Sequence, residues 1–429
     1  MRKVCLISIL ITLMTCLYSV SALAGGLWLY EMATPDMGTA SAGRAALASD
    51  ASTVFSNPAG MTRLEGSQIF GGLQVVIPNV KFDVQEGTNV SGGGGGNAGV
   101  TLPGASGFYV QSLSKDWKLG IALNSYAGGV LDYGNTWAGR YYAEKSILIT
   151  MNVNPAVAYR VTDWLSIGGG LDVMYGFLKG TAAVNNALDD PFLGNFPDGQ
   201  ITVSADAVGV GGNAGILLEP LKGTRIGLTY RSPIDLNFKD VPEITGLGPT
   251  LSAALGITGL ANKQLDIGIT VPQEFMVSIY QDITDRLAVM ANFGWQDWSQ
   301  FGKVDVNVST PTGTTLTTKL EFKDTYHYSI GARYRIKDPW TLMAGFAYDT
   351  SAMDESSRSP SFPLDRQFRY AVGFRYDWSD RFSIGGAYEF MDAGEAPINK
   401  TRGPLSGTLI GDYSSDYYNF LAFYVSYKF

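Results

Sequence analysis

From Gly66 to the carboxyl terminus, large apolar side chains alternate with small or charged ones, segment after segment. Leu287, Val289, Ala291, Phe293 and Trp295 share one parity, with Ala288, Met290, Asn292, Gly294 and Gln296 between them. Phe368, Tyr370, Val372, Phe374, Tyr376 and Trp378 repeat the pattern against Gln367, Arg369, Ala371, Gly373, Arg375 and Asp377. A period of two marks an extended strand with unlike faces. Leu421, Phe423, Val425, Tyr427 and Phe429 carry it to the last residue. A soluble sandwich buries its apolar face in a narrow core. Large aromatics at strand ends instead fit the interfacial girdles of a transmembrane barrel, and charges on the opposite face fit a polar lumen.

Short polar connections punctuate these segments at Ser114-Lys115-Asp116, Thr162-Asp163, Glu219 to Gly223, Ile283-Thr284-Asp285, Lys337-Asp338-Pro339 and Ser379-Asp380. Each carries the Asp, Pro, Gly or Ser that tight turns favour. Longer connections lie between them, at residues 81–103, 129–145, 181–200 and 239–262. Six turns join seven hairpins, which predicts an all-β, antiparallel transmembrane barrel of about fourteen strands over residues 66–429. Short turns gather at one rim and long loops at the other, and an even count puts both termini on the periplasmic side. Residues 25–65 are rich in Gly, Ala, Ser and Thr and keep no period. They read as a plug in the lumen, because about fourteen strands enclose more room than lining side chains fill; a free periplasmic tail is the alternative.

The start of the chain changes where the protein is placed. Arg2 and Lys3 precede an apolar run from Val4 to Leu17, and Ala22-Leu23-Ala24 supplies a small-x-small cleavage site. Residues 1–24 therefore read as a signal peptide, and the mature chain begins at Gly25. Cys16, with Leu13 upstream, raises a lipoprotein alternative that Thr15 fits poorly. Both cysteines, Cys5 and Cys16, fall within this leader, so the mature chain carries no disulfide. Lys and Arg number 31 against 39 Asp and Glu, with no basic cluster, which argues against a nucleic-acid partner. No later apolar run reaches the length of a membrane-crossing helix, so an all-helical membrane protein is excluded. His327 is the sole histidine and no carboxylate cluster has ligand spacing, so neither metal nor cofactor is expected. The glycines of residues 209–214 mimic a dinucleotide loop without the βαβ unit it requires.

Ser56-Asn57-Pro58-Ala59-Gly60-Met61 resembles the Asn-Pro-Ala signature of the FadL long-chain fatty-acid transporter family. Gly26 to Glu31, Trp295 to Phe301, Phe322 to Tyr326 and Asp365-Arg366 are similar to that family in the same order. The resemblance implies a fourteen-stranded outer-membrane barrel with an N-terminal hatch and a kinked third strand that opens a side exit. It implies passive uptake of hydrophobic compounds, long-chain fatty acids in one branch of the family and aromatic hydrocarbons in another. The implied partners are that cargo, outer-membrane lipid and lipopolysaccharide, and the barrel-assembly machinery, which reads the terminal strand through Phe429. Such a design answers a physical problem: an apolar solute gains nothing from a water-filled pore, whereas an apolar pocket under a polar rim takes it up.

The same resemblance proposes sites. Leu27 and Trp28 are expected to reach the cargo from the hatch, and Asn57, Pro58 and Ala59 to make the turn that joins hatch to wall and influences gating. For a carboxylate head group a lumen cation is wanted. In the tenth strand Lys319, Glu321, Lys323, Thr325, His327, Ser329, Arg333 and Arg335 share one parity, and a lysine near Lys319 matches the family's head-group site. Lys323 lies toward the same rim. Lys179 is a second candidate, although its parity points outward. Phe177 stands where a fatty-acid transporter can place an arginine, which favours a neutral or aromatic cargo. The third strand runs from Trp117 to Gly128, and its glycines place the kink between Ser125 and Gly129, with Gly128 inside it. Two other readings stay open. One is a general polar porin. The other is an outer-membrane phospholipase or esterase using His327 and Ser329, although Ile330-Gly331 departs from the Asn-Gly that follows in that family.

Overall fold

A computed structural model describes residues 27–186, 196–258, 264–301, 303–308, 314–319 and 321–429; the leader, residues 1–24, lies outside them. The wall is built from β1 (Gln68–Asn79), β2 (Leu102–Ser112), β3 in two pieces (Trp117–Asn124 and Ala127–Asp132), β4 (Lys145–Arg160), β5 (Leu165–Val184) and β6 (Gly199–Leu221). It continues with β7 (Thr224–Arg231), β8 (Glu274–Asp282), β9 (Leu287–Gln296), β10 (Thr325–Lys337), β11 (Trp340–Asp349), β12 (Gln367–Asp377), β13 (Phe382–Asp392) and β14 (Tyr417–Lys428). Every neighbour is antiparallel. β14 returns to β1, from Gln68 opposite Lys428 to Asn79 opposite Tyr417, so the first and last strands close a fourteen-stranded barrel.

The period-two pattern becomes two faces. Leu73, Val208, Ile330, Val372 and Phe423 point outward and are more than half exposed. Such residues would be misplaced against water, but they are the ordinary lining of a barrel in lipid. Their neighbours Phe70, Asn152, Asp172, His327, Arg369 and Tyr424 face inward and are buried. All six predicted tight turns lie between consecutive strands, at one end of the barrel. Among the described residues no helix is long and apolar enough to cross a membrane.

At the long-loop end some strands leave the wall ladder. Ile234–Asp240, Leu265–Val271, Lys303–Val308 and Thr314–Lys319 form a four-stranded sheet of their own. This corrects the expectation of one strand from Lys319 to Arg335. Thr314–Lys319 pairs with Lys303–Val308, whereas β10 begins only at Thr325 and pairs with β9 and β11.

Residues 28–64 fill the lumen. They are almost wholly buried and carry a 3₁₀ turn (Pro35–Thr39), a short helix (Thr53–Ser56) and a second 3₁₀ turn (Pro58–Arg63). Inward glycines let this backbone lie directly on the wall. A methyl group at Gly227 would stand 2.0 Å from the Ala45 carbonyl oxygen, and one at Gly345 would stand 2.0 Å from that of Thr39. Neither contact is possible for a side chain, which accounts for glycine where the strand pattern alone asks for nothing special.

Candidate functional site

The lumen segment meets the wall at two joints. The lower one centres on Asn57, fully buried at the start of the second 3₁₀ turn. Its amide donates to the carbonyls of Ala45 at 2.6 Å and Ile216 at 3.0 Å, while its oxygen accepts from the Ala59 amide at 3.1 Å. Pro58 fixes the helical φ at a position that has no intrahelical donor to lose. One residue thus caps the turn, ties it to the preceding backbone and pins both to β6. Nearby, the Thr62 hydroxyl donates to Ser166 at 2.7 Å, Arg160 donates to the Thr62 carbonyl, and Arg63 pairs with Glu219.

The upper joint is ionic and aromatic. Arg369 of β12 is buried and donates to Asp349 of β11 at 2.9 Å, to Gln367 at 2.6 Å and to Glu31 of the segment, with Glu389 of β13 at 3.4 Å. Tyr30 packs on His327, tilted by 33° with ring centroids 4.2 Å apart; His327 Nδ1 lies 2.8 Å from Asp349, and the Tyr30 hydroxyl accepts from Gln296 at 2.9 Å. On the opposite side Gln74 of β1 donates to the Glu31 carbonyl at 2.8 Å and accepts from the Ala33 amide at 3.0 Å. Among the described residues no hydrogen bond reaches Glu31 Oε2 or His327 Nε2, both buried, and the Glu389 carboxyl lies beside Glu31.

Between β2 and β3 the wall is unzipped. Their ladder ends at Gly107 opposite Leu123 and resumes in the same register only at the bridge from Gly99 to Leu131. Residues 100–106 and 124–130 therefore face one another without pairing. The upper piece of β3 bonds instead to β4 and to Leu27–Trp28 of the lumen segment, with Trp28 opposite Ala127 and Leu27 opposite Gly128. The Leu29 amide donates to the Tyr126 carbonyl at 2.8 Å. Gly128 has φ +143°, and a methyl group there would meet the Leu148 carbonyl oxygen at 2.5 Å, so glycine permits this departure from the wall.

A cavity of about 440 Å³ occupies the unzipped region. Leu29 and Met32 line it from the lumen, Phe362 and Leu364 from the connection between β11 and β12, and Leu123, Ile149 and Met151 from the outward face. Phe362 also closes an aromatic roof with Trp298, Phe301 and Phe322, at ring separations of 5.2 to 6.2 Å. The space is mostly apolar and extends from the segment to the outer surface.

The sequence-derived candidates divide accordingly. Trp28, Asn57, Pro58 and Ala59 are buried at the two joints, and Ser125, Gly128 and Gly129 line the cavity. Leu27 is placed by its backbone pairing alone. Phe177 and Lys179 do not enter the lumen: they share the outward parity of Val173 and Tyr175 on β5, and Met174 and Leu178 take the inward positions. Lys323 is a correction too, since its ammonium is more than half exposed and pairs with Asp354. Lys319 falls where only the backbone is described, opposite Lys303. His327 and Ser329 both face inward. No hydrogen bond joins them among the described contacts, His327 Nδ1 is taken by Asp349, and the Tyr30 ring lies over the imidazole face. Phe429 follows β14 with its ring exposed and its amide donating to the Ser67 carbonyl at 2.9 Å. The residues that sequence reasoning missed are Tyr30, Glu31, Asp349 and Glu389. Arg369 was assigned to the inward face, but its partners are distant in sequence.

The family model described as outer membrane protein transport protein (OMPP1/FadL/TodX) matches residues 15–429. The chain belongs to this family. It is 27% identical over 409 residues to the long-chain fatty acid transport protein of Escherichia coli O6:H1, covering 90% of this chain and 91% of that one. It is 28% identical over 440 residues to outer membrane protein P1 of Haemophilus influenzae, covering 94% and 92%. Among solved structures, a Pseudomonas aeruginosa FadL homologue superposes with a TM-score of 0.84 at 21% identity, covering 94% of this chain and all of that one. The Pseudomonas putida toluene transporter TodX superposes at 0.65 and 20% identity, covering 93% and 98%. This FadL-family member is thus an integral outer-membrane barrel, and by the rule for such barrels its long loops face the outside.

Proposed function

We propose that this barrel takes up hydrophobic molecules passively, receiving them beneath the long loops and releasing them sideways through the gap between β2 and β3. The observation that carries the proposal is the cavity at the unpaired residues 100–106 and 124–130, apolar from Leu29 and Met32 to Ile149 and Met151. An apolar solute loses nothing on moving from such a pocket into lipid, whereas passage into periplasmic water would cost roughly 25 cal/mol for each Å² exposed. Leu27 and Trp28 bind the displaced half of β3, so movement of the hatch and opening of the gap are one event. Relatives named for fatty acids and for toluene bracket the cargo: long-chain fatty acids or aromatic hydrocarbons. Lysine at 319 remains a candidate for the first encounter with a carboxylate.

Cysteines placed at Ala105 and Ser125, on opposite sides of the gap, test the route. Joined by a reducible bis-thiol cross-linker, they are expected to cut oleate and toluene uptake by about tenfold, and reduction restores it. Uptake that survives cross-linking would sink the lateral route. Rapid swelling of liposomes in sugars would favour a polar porin instead.

A further inference from the structure

Of the buried ion pairs that hold the lumen segment, the one between Glu31 and Arg369 differs in kind. Asp36 pairs with Arg44 within the segment, and Asp172 pairs with Arg231 within the wall. Arg369, by contrast, takes Asp349, Glu389 and Gln367 from the wall and only Glu31 from the segment. A second small cavity touches it. The space, about 20 Å³, is lined by Arg369, Gln367 and Asp349 on its polar side and by Trp28, Trp298, Phe362 and Leu364 on its apolar side. That is room for one water-sized group. Phe362 and Leu364 also line the larger cavity at the gap, so one apolar wall leads from there to the guanidinium.

We propose that Arg369 is the head-group site for a monocarboxylic amphiphile, which it accepts in exchange for Glu31. This rests on the uptake of hydrophobic cargo argued above. Three carboxylates, Glu31, Asp349 and Glu389, already face the one guanidinium, with His327 and Tyr30 against them and Arg44 and Glu274 beyond. A further anion is therefore not simply added. The cargo arrives as its neutral acid, the form an apolar path admits. Its O–H bond breaks as it takes Arg369, and the proton forms a new O–H bond on Glu31 Oε2, a buried oxygen that no donor reaches among the described residues. Total charge in the lumen is unchanged, Arg369 is never left unpaired, and Glu31 becomes neutral and free to leave. Residues 28–32 then lose their ionic tie while the lower joint stays intact. Binding itself loosens the segment that closes the gap.

The test uses the full-length barrel in detergent and calorimetric binding of oleate, methyl oleate and toluene in two buffers of different ionisation heat. Wild type is expected to take up about one proton per oleate bound, and Glu31→Gln none, with oleate binding about tenfold tighter because no carboxylate competes. Methyl oleate and toluene bind equally to both. Arg369→Gln abolishes the preference for oleate over its methyl ester. Heat-modifiable electrophoretic mobility reports whether that variant folds, and if it does not, Glu31→Gln still decides. Unchanged oleate affinity in Glu31→Gln, proton uptake that persists there, or an equal shift for methyl oleate overturns the exchange. Failure of wild type to bind any of the three overturns the transport proposal with it.

Discussion

The two joints of the lumen segment are made of different materials. At the lower joint, the buried centre is held through peptide groups: Asn57 satisfies two carbonyls and one amide, and the backbone at Ala45 lies on Gly227 with no room between them, with the half-buried Arg63–Glu219 pair at its margin. At the upper joint, side chains do it: Glu31 on Arg369, and Tyr30 on His327 and Gln296. Peptide hydrogen bonds do not change with the charge state of a ligand, whereas an ion pair can be exchanged for another of the same kind. A segment fixed at one end and exchangeable at the other is a hinged closure, and the unpaired stretch of β3 adjoins the exchangeable end.

The largest effect is expected from breaking the fixed end. Asn57→Leu keeps the volume but removes the side-chain partner of the Ala45 and Ile216 carbonyls and of the Ala59 amide, at about 1–3 kcal/mol for each group left unsatisfied. The wall ladders are untouched, so the barrel still inserts. Its segment becomes protease-sensitive, and ionic current in planar bilayers rises well above that of wild type. A variant that stays closed and resistant would show that the lower joint is not an anchor. Gly227→Ala attacks the same joint from the wall side. Its methyl group displaces the Ala45 carbonyl, for a loss of about 1–3 kcal/mol read as a lower midpoint of denaturant unfolding, with a smaller rise in current.

At the exchangeable end the expected change in stability is much smaller. Glu31→Gln leaves Arg369 paired with Asp349 and close to Glu389, so no naked charge is buried and the unfolding midpoint moves by no more than about 1 kcal/mol. A loss comparable to that of Asn57→Leu would erase the distinction between the joints.

How far the sequence reveals this arrangement depends on the kind of interaction. The fourteen strands and their six tight turns follow from a period of two, a local property, and each strand states it independently. The lower joint is marked by Asn57-Pro58-Ala59, also local. The upper joint is not, because Glu31 meets Arg369 across 338 residues and neither position departs from what a polar lumen asks. Arg369 could be assigned its face but not its partner. The gap in β3 has a glycine signal, Gly128 and Gly129, but so do many unbroken strands in a chain with 52 glycines. The break before β10 is invisible for a further reason. Lys319 and Thr325 keep the same parity through the interruption, so alternation reads as continuous where the ladder has changed partners. Phe177 and Lys179 are the reverse case: parity already points Lys179 outward, and on the unbroken strand Phe177 shares that face despite the family likeness at its position.

Lys323 gives the smallest effect and the sharpest control. It belongs to the same positional series as His327, and sequence alone offers it as a head-group cation. Yet its pair with Asp354 is more than half exposed on both sides, where solvent screens the attraction and two long side chains lose rotamer freedom. Lys323→Ala is therefore expected to change stability by less than about 0.5 kcal/mol and to leave oleate affinity and its proton uptake where they are in wild type. If instead Lys323→Ala weakens oleate as much as Arg369→Gln does, the carboxylate is read at the rim. The buried guanidinium would then serve only to hold the segment closed, and the two joints would differ in strength rather than in kind.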